Sequence, residues 1–328
     1  MALSRAAGLC RLSLRTQWAV SRLLSSISAG GEPPGDDKRR GRLVDLEALR
    51  RERVLRPPPE RKQPTPPRKA HNTSRPTREQ LQLNADIVAC ASAEAVLDLA
   101  ASRPALLNGV IVSTALMKLA KLIGKGKRAQ WLESDARFQQ LLSATVALME
   151  HKVVEARGFA NLLYACGQLG ITPPADWLQS YWHASASKLG EFSEQGLSNT
   201  LFACGQLGIT PPADWLQRYW HSSSAKLGEF SEQGLSNVIY ACGQLGITPS
   251  VDWLQRYWHT SASKLGEFST QGLSNTVYAC GQLGITPPAD WLQQYWHASA
   301  LKLGEFKPQH YSNTLYACGQ LGIKPPAD

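Results

Sequence analysis

The chain of 328 residues is short of several things, and each shortage narrows what it does. No run of 18 or more apolar residues occurs, which leaves no candidate for a membrane-spanning helix. No C-x-x-C pair and no Cys/His spacing of a zinc site is present among the seven cysteines, so no metal is expected. No phosphate-cradling glycine loop occurs, and no cofactor is expected. Basic residues are scarce in the second half: residues 158–328 hold 8 Lys+Arg against 11 Asp+Glu, which leaves 27 basic and 15 acidic residues in 1–157. The formal charge of +9 therefore belongs to the front of the chain, and the second half is no simple electrostatic trough for phosphates.

Acidic residues are missing from the first 31 positions; Glu32 is the first. That stretch carries Arg5, Arg11, Arg15 and Arg22, six serines and an apolar stripe through Leu9, Leu12, Val20, Leu23, Leu24 and Ile27. Arg-rich, Ser-rich and acid-poor is the pattern of an organelle transit peptide, expected over residues 1–31; a basic disordered tail is the plainer alternative. Composition does not choose between chloroplast and mitochondrion. Residues 32–79 read as a disordered Pro/Arg-rich linker, with Pro57-Pro58-Pro59 and Pro66-Pro67 among Lys and Arg and little to bury. It serves either as a contact for phosphates or as a solvated spacer.

A fixed period of 38 residues sets in at Gly158. Trp177, Trp215, Trp253 and Trp291 keep it, as do His183, His221, His259 and His297. The period divides the chain into repeats at 158–195, 196–233, 234–271, 272–309 and a partial fifth at 310–328. Each repeat reads as two helices. In the second copy the first helix is expected over about Glu194–Leu207, with Ser193 as N-cap, Phe192 and Leu197 as a hydrophobic staple and Gly208 as the stop. The second is expected over about Pro211–Leu227, with Thr210 as N-cap, Pro211 at the first helical position and Gly228 as the stop. Helix pairs that cannot bury their apolar faces alone must stack, so the fold class is all-α: an α-solenoid of tandem 38-residue helix–turn–helix repeats behind a disordered basic N-terminal region. Residues 80–157 lack the period but carry apolar spacing of a helix over Ala91–Ala101, Asn108–Ile123 and Phe138–His151, and read as a diverged helical extension of the same solenoid.

On the first helix Leu197, Leu201, Cys204 and Leu207 gather on one side, while Asn199, Phe202 and Gln206 gather opposite. On the second, Trp215, Leu216, Tyr219, Trp220 and Leu227 form the packed stripe; Asp214, Gln217, Arg218 and His221 face away, with Asp214 and Arg218 at ion-pair spacing. Five of the cysteines, Cys166, Cys204, Cys242, Cys280 and Cys318, recur in the same Ala-Cys-Gly triplet and read as small buried thiols rather than disulfide partners. The histidines have no fixed carboxylate or thiol partner in sequence, and four equivalent copies suit a surface better than one active site, so an enzyme is not expected.

The unit, with its LSNTLYACGQLGI-x-PP-x-x-WL core, resembles the octotricopeptide repeat of green-algal organelle proteins over Gly158–Asp328. The segment around Ser92–Leu122 is similar to what precedes the repeats in such proteins, chloroplast translation factors among them. The resemblance implies binding of single-stranded organelle RNA in the chloroplast stroma, less often in the mitochondrial matrix, with effects on translation, stability or processing of transcripts and partners in such complexes. Many relatives also carry a C-terminal RAP domain, which is not found here. The chain stops at Pro325-Pro326-Ala327-Asp328, where each earlier copy continues with Trp, and is expected to be truncated, since a solenoid should close on an atypical cap.

A modular reader of RNA needs one side-chain set per repeat. The stripe opposite the apolar face provides it: Asn161, Tyr164 and Gln168; Asn199, Phe202 and Gln206; Asn237, Tyr240 and Gln244; Asn275, Tyr278 and Gln282; Asn313, Tyr316 and Gln320. Carboxamides donate to and accept from base edges, and a ring stacks on any base for about 1–3 kcal/mol. The competing reading packs the ring on the next repeat and uses the amides to tie repeats together. Arg218 and Arg256 are weaker candidates for phosphates, because Ser180 and Gln294 replace them elsewhere. Near-identical copies would call the same base repeatedly. A protein-binding scaffold remains the alternative, favoured by the neutral repeats, and a non-functional duplicate is a further one.

Overall fold

The computed structural model describes residues 75–124 and 129–326. The expected transit peptide and nearly all of the expected linker lie outside the described residues. Thirteen α-helices and no strand are found among the described residues: α1 (Arg78–Ala89), α2 (Ala93–Ser102), α3 (Gly109–Ile123), α4 (Ala136–Glu150), α5 (Ala156–Leu169), α6 (Ala175–Ala186), α7 (Glu194–Leu207), α8 (Ala213–Lys226), α9 (Glu232–Leu245), α10 (Val251–Ala262), α11 (Thr270–Leu283), α12 (Ala289–Leu301) and α13 (Pro308–Leu321). Odd-numbered helices pack on one another in one rank and even-numbered helices in a second. The result is an all-α solenoid.

The first helix of each repeat starts and stops where its residues dictate. Ser193, Ser231 and Ser269 cap α7, α9 and α11 by accepting from the N–H groups of Gly196, Gly234 and Gly272 at 3.0–3.1 Å, a device worth about 1 kcal/mol each. At the far end of α7 Gly208 turns left-handed at φ +66°, and the Ile209 N–H reaches back to Cys204 O at 3.0 Å.

The second helix departs from expectation at both ends. It begins at Ala213 rather than Pro211, and Thr210 does not cap it. A residue that precedes proline is held out of the helical region, so Pro211 cannot open a helix with Pro212 behind it; Pro212 itself sits extended at φ −58°, ψ 149°. In the third copy Ser250 replaces the second proline and supplies a side-chain cap to Trp253 N at 3.3 Å. The helix also does not run to a glycine stop: a separate 3-10 turn, Leu227–Glu229, follows and contains Gly228. Asp214 and Arg218 form no ion pair among the described residues, both being exposed to water that competes for them.

Helix α1 begins at Arg78, inside the tract read as linker. Thr77 Oγ1 accepts from Gln80 N and Gln80 Oε1 accepts from Thr77 N, both at 3.1 Å, a reciprocal cap that the T-x-x-Q spelling encodes.

Three contacts set the pitch of the array. In the second rank three buried tryptophans donate the indole N–H to a serine 30 residues back: Trp215 to Ser185 at 2.9 Å, Trp253 to Ser223 at 3.0 Å and Trp291 to Ser261 at 2.9 Å; Trp177 donates to Thr145 instead. These indoles also belong to a zigzag of rings, Trp215 stacked on Tyr219 at 5.5 Å and meeting Trp182 edge-on at 5.1 Å. Each such ring withdraws about 150–250 Å² from water, about 4–6 kcal/mol before ordering entropy. In the first rank the glycine of Ala-Cys-Gly faces an alanine of the next unit: a Cβ on Gly205 would lie 3.1 Å from that of Ala241. Between successive units, Lys264 Nζ donates to Gly228 O at 3.0 Å and Phe230 O at 2.6 Å; Lys226 and Lys302 repeat the contact one unit back and one unit on. Lys226, Lys264 and Lys302 thus fasten their units to the previous 3-10 turn, whereas Lys188 pairs with Glu191.

Candidate functional site

The first-rank helices border a groove of about 1540 Å³ that extends from Met117 on α3 to Asn313 on α13. Along it the structure brings together Asn161 and Tyr164; Asn199, Phe202 and Gln206; Asn237, Tyr240 and Gln244; Asn275 and Tyr278; and Asn313. Gln168, Gln282, Tyr316 and Gln320 are not in its lining. Arg218 and Arg256 are exposed on α8 and α10 in the second rank and do not reach it.

The three positions of the stripe have different surroundings. Asn161, Asn199, Asn237 and Asn275 are half-buried, and among the described residues their carboxamides have no hydrogen-bond partner. Asn313 differs: it is buried and accepts from Gln309 Nε2 at 2.9 Å. Gln206 and Gln282 lie on the seam between units. Gln282 Oε1 would come within 2.7 Å of a Cβ at Gly243, and Gln206 Oε1 within 3.1 Å of one at Gly167. Those glycines leave room for the next helix and its glutamine at once. The rings are intermediate. Tyr278 and Tyr316 lie 5.1 Å apart and tilted by 47°, too close for a base to slide between them, and both keep an open side. Burial and the neighbouring Tyr278 push the Tyr240 hydroxyl up from its ordinary value. Among the described residues the unengaged carboxamides that the stripe brings to the lining are therefore Asn161, Asn199, Asn237 and Asn275, with Gln244 beside them.

The groove's charge is a feature that sequence reading missed. Glu191, Glu194, Glu232, Glu267 and Glu305 line it, against Arg157 and Lys302, and Lys302 is held by Gly266 O and Phe268 O. Glu191 pairs with Lys188 at 3.3 Å. Glu194 and Glu232 sit in the first turns of α7 and α9, where a carboxylate answers the positive end of the helix. That local role is readable from Ser-Glu at a helix start; the collection of these carboxylates on one rim follows only from stacking. Because Ser193 and Glu194 already answer the start of α7, as Ser231 and Glu232 do for α9, these helix ends do not offer themselves to phosphates.

The cysteines lie elsewhere. Cys166, Cys204, Cys242 and Cys280 are buried and free, and burial pushes the thiols of Cys166 and Cys280 up to about 12 and those of Cys204 and Cys242 higher still. A thiol so disposed is neither nucleophile nor ligand. His183, His221, His259 and His297 are exposed on the second rank. Among the described residues no group of three His, Cys, Asp or Glu could hold a metal ion, and no helix is long and apolar enough to cross a membrane.

A family model described as the Tbc2 translation factor, C-terminal domain, matches residues 85–284. The match runs without a break from α1 through the diverged helices into the 38-residue units and ends at the left-handed glycine after α11. No curated protein matches the chain.

Proposed function

The chain belongs to the family of the Tbc2 translation factor C-terminal domain, and on that footing we propose that it is a non-enzymatic factor that binds single-stranded RNA along the groove and acts in the translation of organelle transcripts. The observation that carries this reading is the row Asn161, Asn199, Asn237, Asn275: carboxamides at a 38-residue interval, unengaged, on one continuous concave surface. Each can donate and accept at once, which is what reading a base edge requires. The resemblance of the unit to the octotricopeptide repeat supports the same partner. The acid-free, Arg- and Ser-rich residues 1–31 support import into an organelle, the chloroplast stroma on the strength of that resemblance, with the mitochondrial matrix as the alternative.

Ultraviolet crosslinking of the full chain to single-stranded RNA, with the crosslinked peptides mapped, tests the reading. Crosslinks are expected at the groove rings Tyr164, Tyr240 and Tyr278. Crosslinks confined to the basic first 74 residues would refute groove binding.

A second reading has its own observation. The excess of glutamates over free cations in the groove suits a basic peptide of a partner protein. Partners that survive nuclease treatment and are lost on Glu194→Gln with Glu232→Gln would favour it over RNA.

A further inference from the structure

We infer that the groove takes its RNA bases inward and prefers adenine, the base that carries an exocyclic amino group and no keto oxygen, over uracil. The inference rests on the RNA reading above and adds the identity of the base.

Two observations lead to it. The first is which groups remain open. The asparagine carboxamides pair with any base edge, because they present one donor and one acceptor. By themselves they do not choose. The second is the carboxylate rim. An ionised carboxylate only accepts hydrogen bonds. It attracts the amino groups of adenine, cytosine and guanine and repels keto oxygens, of which cytosine and guanine carry one each and uracil two, with no amino group. Adenine alone of the four bases combines an amino group with an absence of keto oxygens, and it gives a carboxamide the two-point pairing of an amino donor and a ring-nitrogen acceptor. Its larger ring also covers more of the open sides of Tyr240 and Tyr278 than a pyrimidine does.

The same rim sets the strand's orientation. Phosphates facing Glu194 and Glu232 would meet like charge, and the ammonium groups of Lys226, Lys264 and Lys302 are turned to backbone carbonyls rather than to these carboxylates. The backbone therefore runs on the open side, with bases toward the asparagines. The combination recurs on two successive first-rank helices, Asn199 with Glu194 on α7 and Asn237 with Glu232 on α9, so the preference applies to consecutive bases and its effect compounds along the strand.

The test uses the full chain and equal-length oligo(A), oligo(C) and oligo(U), with affinities measured by fluorescence anisotropy. The basic front of the chain is the same in the wild type and the double variant described next, so the change in the ratios between the two reports the groove. Oligo(A) should bind tightest and oligo(U) weakest, with a gap on the order of tenfold or more. In the double variant Glu194→Gln, Glu232→Gln the gap should narrow because oligo(U) binds better, with circular dichroism unchanged. Equal or tighter binding of oligo(U), or a ratio unmoved by the double variant, overturns the base preference and leaves RNA binding standing. Absence of binding to all three overturns the RNA reading and this inference with it.

Discussion

The indole N–H of Trp253 donates to Ser223 Oγ at 3.0 Å, across the boundary between one helix pair and the next. Both groups are buried, so losing either leaves the other without water to turn to. Ser223→Ala should lower stability by about 1–3 kcal/mol, and Trp253→Ala by more, since it also opens a cavity among stacked rings. Chemical denaturation with and without each change measures both. An unchanged midpoint for Ser223→Ala would show that the interface is set by ring packing alone.

The glycines of the Ala-Cys-Gly triplets separate into two classes that one substitution distinguishes. Gly243→Ala would drive a Cβ to 2.9 Å from the Ala279 backbone and into the Gln282 amide, and should destabilise by about 1–3 kcal/mol. Gly319, the same position in α13, has nothing within 4 Å. Gly319→Ala should be neutral or gain about 0.5–1 kcal/mol from helix propensity. Equal costs at the two sites would mean that the close approach of first-rank helices is not what glycine is for.

Much of this was legible in the chain. The period announced the stacking, and Ser193 and Gly208 bounded α7 at the residues where it starts and stops. The second helix misled because the Pro211-Pro212 pair obeys two rules at once, favourable at a helix start and prohibitive for the residue before it. Helix α1 was legible in Thr77 and Gln80 but lay hidden in proline-rich surroundings. The site was harder. Facing and spacing of the asparagines follow from helix geometry. That Gln282 lies over Gly243, that Lys264 holds Gly228 O, and that Glu194 and Glu232 share a rim depend on how one unit meets the next, and a repeat read singly does not contain it.

Alkaline pH should unfold the array cooperatively. Thiols ordinarily titrate near 9.0, and burial raises those of Cys166 and Cys280 to about 12; the Tyr295 hydroxyl is likewise raised from 10.0 to about 12. A pKa raised by folding contributes stability that is complete below the unfolded value and is lost as pH rises toward the folded one. Stability should therefore hold up to pH 9 and decline from there toward 12, as followed by thermal melting across that range. A flat profile through that window would contradict burial of these groups.

The same burial predicts thiol reactivity. In the native protein a thiol reagent should modify the partly exposed Cys90 and Cys318 and spare Cys166, Cys204, Cys242 and Cys280 until denaturant is added. Mass spectrometry of labelled peptides reads this directly. Early labelling of Cys204 or Cys242 would mean that the units part far more readily than their packing implies.

Substituting the asparagine row bears most directly on what the groove is for. The triple variant Asn199→Ala, Asn237→Ala, Asn275→Ala removes only side chains without partners, so the melting temperature should stay put. Affinity of the full chain for single-stranded RNA should fall on the order of tenfold or more, with the slope against salt concentration unchanged because no phosphate contact is touched. Undiminished affinity in a correctly folded triple variant would contradict base recognition in this groove.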